Sequence, residues 1–242
     1  MKQPNHVQLP GAAPGRARRR NSFWRARWLL LGLAGAGACA PARFVKPLAA
    51  RQQAVNVSLG GPLISYGSAV IPLPFLTATY GRGFTSTLTG FGSVNITSAL
   101  YGNAQVELGL TKQVLAPHGG VPGVSVSPAA TLLYRNPDAC RLYPTLDAYA
   151  FWDYRQHRSY VYLGLSNWFE LRGTRAFDRP QDHHWLLVPL LGTTLGGERW
   201  SYTLETKVIA PNIANDYNTA EYRTPFGTHG ALGVYLGVTR KF

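Results

Sequence analysis

The sequence predicts an all-β fold, an antiparallel up-and-down transmembrane β-barrel of about ten strands, with eight to twelve compatible with its segments. Three observations carry that expectation. Apolar residues recur at every second position along most of the chain, and no helical period of 3.6 persists over a comparable length. The face opposite the aliphatics holds Ser, Thr, Gly and Tyr with few charges, whereas a soluble surface would carry many Lys and Glu. Composition agrees: 14% charged, with 26 Gly, 17 Pro, 13 Tyr, 10 Phe and 6 Trp in 242 residues. That mixture suits short strands, many turns and aromatic belts.

Residues 1–38 read as a signal sequence. A long basic region centred on Arg16-Ala-Arg-Arg-Arg20 precedes the apolar run Trp28–Ala38, which is too short to cross ~30 Å of hydrocarbon as a helix. Ala36-Gly-Ala38 before Cys39 favours lipidation of Cys39, although the position three before the Cys is Ala where Leu is usual. Ordinary cleavage in Ala38-Cys-Ala40 is the alternative, and Pro41 argues against a cut there. Residues 39–52 follow as a periplasmic N-terminal segment, and residues 53–242 form the barrel domain.

Within 53–242 the strands follow from alternation. Val55, Val57 and Leu59 oppose Asn56, Ser58 and Gly60; Val106, Leu108 and Leu110 oppose Gln105, Glu107 and Gly109. Leu146, Ala148, Ala150 and Trp152 oppose Asp147 and Tyr149, while Leu163 and Leu165 oppose Tyr162 and Ser166. Trp200, Tyr202 and Leu204 oppose Thr203, Glu205 and Lys207. The last strand sets Leu232, Val234, Leu236 and Val238 against Gly233, Tyr235, Gly237 and Thr239. Residues 75–103 are diluted by Gly and Thr and read as two strands with a short helical turn near Ser98–Gly102. The polar stretch 211–229 reads as one long loop. Aromatics at strand ends, among them Trp152, Trp168, Phe169, Trp185 and Trp200, suit interfacial girdles.

Cys39-Ala-Pro41, Val57-Ser-Leu-Gly-Gly-Pro62, Gly164-Leu-Ser-Asn-Trp-Phe-Glu170 and the terminal Val238-Thr-Arg-Lys-Phe242 give the chain a resemblance to small outer-membrane β-barrel proteins of Bacteroidota type. The resemblance implies outer-membrane residence in a Gram-negative cell, with the lipid bilayer and the barrel-assembly machinery as partners. In such barrels the assembly machinery recognises a terminal aromatic, the role this implies for Phe242. It carries no assigned activity.

The formal charge of +13 is a weak functional hint. Seven basic residues and no acid lie in residues 1–38, which leaves 17 basic against 11 acidic residues for the rest. The densest basic run sits beside the apolar segment, so it points to targeting and away from nucleic acid. No cofactor is expected: the glycines lack phosphate-loop spacing, and the two cysteines, Cys39 and Cys140, make no metal set. Glu107, Asp147, Glu205 and Lys207 fall near mid-strand on the polar face and are expected to form a lumen network that stiffens or plugs a narrow barrel. Asn167 is a misfit on the aliphatic face, marking a bulge or the edge of the apolar band.

Three functions remain open. The first is a non-enzymatic barrel with a structural, adhesive or limited-permeation, porin-like role. The second is a lipid hydrolase or acyltransferase, for which Asp182-His183-His184 or His229 would need a Ser hydroxyl within reach. The third is a soluble periplasmic lipocalin-like binder, which requires an apolar cavity inside.

Overall fold

The computed structural model describes residues 44–136, 140–155, 158–174, 180–215 and 221–242. Its strands are β1 (Gln53–Tyr66), β2 (Ala69–Pro72), β3 (Phe75–Thr85), β4 (Leu88–Asn95), β5 (Ala104–Leu115), β6 (Gly123–Tyr134), β7 (Cys140–Tyr154), β8 (Ser159–Phe169), β9 (Trp185–Gly196), β10 (Trp200–Ala214) and β11 (His229–Lys241). One short helix, α1 (Ile96–Leu100), joins β4 to β5, and the Asn95 side chain caps it by accepting from the Ser98 N–H at 2.9 Å.

Every neighbouring pair of strands is antiparallel, and β11 returns to β1 in register from Ala54↔Lys241 to Pro62↔Gly233. Because β2 pairs only with the end of β1, from Leu63↔Pro72 to Tyr66↔Ala69, it forms a hairpin extension above the wall. Ten strands therefore make the closed barrel, as the sequence predicts. Closure leaves no unpaired edge in the ten-stranded wall, which hydrocarbon would penalise by several kcal/mol per group.

The two ends differ. Phe44 and Phe242, the first and last described residues, lie at one end with the strand ends that the connections β3–β4, β5–β6, β7–β8 and β9–β10 join, here the termini end. The strand ends joined by the longer connections β4–β5, β8–β9 and β10–β11 lie at the other, the loop end.

The pleat sorts the side chains. Leu108 is 67% exposed and Leu236 58%, and Val57, Leu163, Leu191 and Leu204 share that outer face. Inside, Glu205 and Tyr235 are 0% exposed. This barrel is apolar outward and polar inward, the inverse of a soluble one and the order that lipid demands. Asn167 stays in regular register, so there is no bulge. Its amide donates to Leu146 O at 3.0 Å and its carbonyl accepts from Trp185 Nε1 at 3.0 Å, which places it in an aromatic rim of the outer band.

Two expectations need correction. Trp168 does not join the outer girdle; it is 5% exposed inside the barrel, tilted against Tyr143 and donating to Ser166 Oγ at 3.1 Å. Its parity with Ser166 decides this, since strand faces alternate whatever the residue type. The polar stretch 211–229 is also not all loop. Residues 211–214 extend β10 past a register shift between Ile209 and Ala214, with Ala210 at φ 48°.

Candidate functional site

The lumen is filled in layers. Mostly small side chains line β1 and β3 to β6, apart from Phe91 on β4 and Glu107 on β5, while bulkier ones project inward from β7 to β11. Space for the rings comes from glycine: a Cβ on Gly192 would overlap the Tyr162 ring, and one on Gly123 the Phe151 ring. Near the loop end Tyr143, Trp168, Val188, Ile209 and Ala231 form a buried apolar layer.

Below it lies the ionic layer. Glu205 and Lys207 stand two residues apart on β10, so they share the inward face and pair at 3.2 Å. The Tyr162 hydroxyl donates to Glu205 Oε2 at 2.7 Å, and the Lys207 ammonium sits 5.4 Å from the Tyr235 ring centroid. On β7, Asp147 accepts from the Tyr149 hydroxyl at 2.7 Å and from Ser166 Oγ. On β5, Glu107 accepts from Thr131 Oγ1 at 3.0 Å. All four charged residues are buried. Removing one partner of the Glu205–Lys207 pair would leave the other charge buried without its counter-charge, which is costly.

The sequence did not flag the next layer. The segment expected as a periplasmic lead turns into the barrel: Phe44, Val45 and Leu48 are buried inside the termini end. Phe44 packs against Phe91 with ring centroids 6.4 Å apart, in the room left by Gly81. Val45 O accepts from Ser125 Oγ at 2.6 Å, and Leu48 N–H donates to Thr89 Oγ1 at 2.8 Å. Lys46 is bound to Asp153 at 2.7 Å. Wall hydroxyls thus replace the strand partners that this non-periodic segment lacks. Its only signal in the sequence is three apolar residues, Phe44, Val45 and Leu48, beside the strand-breaking Pro47.

Between this plug and the wall lies a cavity of about 200 Å³. Lys46, Arg158 and Lys241 border it with the hydroxyls of Tyr160, Ser201 and Thr239.

Other expected site residues fall elsewhere. Phe242 is exposed at the foot of β11, where the Arg240 guanidinium lies 5.0 Å from its ring and 5.5 Å from that of Trp200. Its N–H donates to Gln53 O at 2.9 Å, which ties the last residue to the first strand. Cys39 lies outside the described residues. His184 Nδ1 contacts Glu170 O at 2.8 Å and His229 Nδ1 contacts Thr228 Oγ1 at 3.2 Å. Among the described residues no Ser hydroxyl meets His183, His184 or His229, so the nucleophile–base geometry a hydrolase needs is missing there. Nor do the described residues gather three metal-ligating side chains.

No family model matches the chain, and no curated protein matches it. Among solved structures it is similar to the translocator domain of the autotransporter NalP from Neisseria meningitidis, at 9% identity and TM-score 0.42, covering 91% of this chain and 96% of that one. It is similar to an outer membrane channel from Pseudomonas putida at 10% identity and TM-score 0.43, covering 83% and 99%. With the outer membrane protein OprG from Pseudomonas aeruginosa the values are 11% identity, TM-score 0.30, and coverage of 82% and 99%. Identity at this level transfers no residue role.

Proposed function

We propose that this chain is a non-enzymatic outer-membrane barrel, closed across its lumen, that serves a structural or adhesive role through its long loops. The observation that carries this reading is the filled lumen. The buried Glu205–Lys207 pair projects into it at mid-height, and Phe44, Val45 and Leu48 pack inside the termini end. A general diffusion pore needs a continuous wet path, and aromatic rings with a dry ion pair oppose one. The apolar outer face supports residence in lipid, and the short connections at the termini end support a periplasmic termini end with the long loops outward.

The finer features fit the same picture. Export by residues 1–38 and lipidation of Cys39 would anchor the chain in the inner leaflet. From there five residues reach at most about 18 Å to Phe44, short enough to hold the plug at the periplasmic mouth. The assembly machinery would read Phe242 at the exposed foot of β11.

Planar bilayers test the central claim. The intact protein should show no stable open-channel current, and deletion of residues 44–50 should add at most brief, small openings. Large steady conductance from the intact protein would overturn the reading, as would recovery of the mature protein from the periplasm without detergent. Labelling with radioactive palmitate, lost in Cys39→Ser, checks the anchor.

A further inference from the structure

The cavity at the termini end is unlike the rest of the lumen. Three cations, Lys46, Arg158 and Lys241, border it, and no carboxylate does. Lys46 has Asp153 at 2.7 Å and Arg158 has the exposed Glu198 at 3.2 Å, both carboxylates set outside the cavity lining. Lys241 forms no ion pair among the described residues, although it is only partly exposed. The same rim carries Arg51, Arg82, Arg155, Arg199 and Arg240, with Asp153 and Glu198 as the side-chain carboxylates described there. Charges of one sign around a low-dielectric recess focus the field and draw counter-ions inward.

The remaining lining supplies donors. Thr239 Oγ1 accepts the Asn56 amide at 2.8 Å, so its own proton is left to donate. Thr194 and Thr203 share one hydrogen bond at 3.0 Å, and Thr194 also bonds the Tyr160 hydroxyl, so these groups form one connected polar wall of the cavity. Size restricts the guest: pockets for drug-sized ligands run to roughly 300–1,000 Å³. About 200 Å³ suits one tetrahedral oxyanion with a few waters.

We infer that this mouth cavity is a phosphate-class anion site, formed jointly by the N-terminal plug and the wall of β8 to β11. Lys241 supplies the uncompensated charge, Arg158 turns from the exposed Glu198 to assist it, Lys46 closes one side, and the Thr and Ser hydroxyls complete the shell. The inference rests on the plug being seated in the lumen, as in the closed-barrel reading. Its anion has two possible sources: free phosphate in the periplasm, or the phosphate of an inner-leaflet lipid whose headgroup enters the mouth.

Calorimetric titration of the full mature protein in a neutral detergent tests the site, with inorganic phosphate in one arm and monomeric dihexanoyl phosphatidic acid in the other. Saturable one-to-one binding is expected in at least one arm. It should weaken about tenfold or more in Lys241→Met and in Arg158→Gln, and be retained in Lys241→Arg, since a charge-assisted bond is lost only in the first two. Binding of phosphate itself assigns the free anion; binding of phosphatidic acid alone assigns the headgroup. No binding in either arm overturns the site, as does binding that Lys241→Met and Arg158→Gln leave unchanged. Heat-modified migration on gels checks that each variant folds, and Thr203→Val replaces any that does not, with weaker binding again expected. Bilayer conductance is read on the same samples. Open channels with phosphate bound would sink only the closed-barrel reading, and a silent protein without binding would sink only the site.

Discussion

In mid-lumen Lys207 has Glu205 at 3.2 Å, the Tyr235 ring beside it and almost no contact with solvent. At the mouth Lys241 stands with Arg158 and Lys46 around a cavity that holds no carboxylate. The same kind of cation is locked in one place and left with residual charge in the other. Dielectric explains the difference. A dry interior allows a charge only with its counter-charge and hydrogen bonds in place, whereas partial hydration at a mouth lowers the cost of leaving a charge uncompensated. Of the three mouth cations only Lys241 lacks an ion pair among the described residues, which is why the proposed anion site centres on it.

The sharpest way to break this contrast is Lys207→Met. It strands Glu205 in the lumen and should cost about 3–5 kcal/mol, seen as a large drop in the temperature at which the folded band converts on a gel. Restoring neutrality with Glu205→Gln in the same chain should recover much of that loss. An unchanged transition in Lys207→Met would show that the layer is not ionic.

Lys46→Met should fall in the middle, about 1–3 kcal/mol, because it removes the ammonium that Asp153 accepts from in a partly buried setting. It should also loosen the plug, measured as faster proteolysis after residue 50. Gly192→Val perturbs no charge yet should cost a similar 1–3 kcal/mol by driving a side chain into the Tyr162 ring, on which Glu205 depends. Glu198→Gln is the smallest. Its pair with Arg158 is exposed, so stability in a urea titration should move by no more than about 0.5 kcal/mol.

The wall was legible because a strand's two faces must differ when one meets lipid and the other a polar lumen. Val55, Val57 and Leu59 against Asn56 and Ser58 already state which side is which. The i, i+2 spacing of Glu205 and Lys207 places them on one face by the same rule. Trp168 misled because its type suggested a girdle while its parity pointed inward. Residues 211–214 misled because Pro and Asn at an irregular strand end look like a loop. The plug was not legible, since Phe44–Leu48 has no period and its partners, Ser125, Thr89 and Phe91, lie more than 40 residues away.

By itself the sequence determined most of the wall strands and most of their faces, because alternation and turn chemistry are local. Only the tertiary structure decided what fills the barrel. Once the wall closes, its circumference fixes how much room is left. The Gly192 and Gly123 vacancies, the Tyr162 and Phe151 rings and the returning N-terminal segment then compete for that volume. The mouth cavity and its three cations are what remains after that packing, and no local pattern in the chain encodes it.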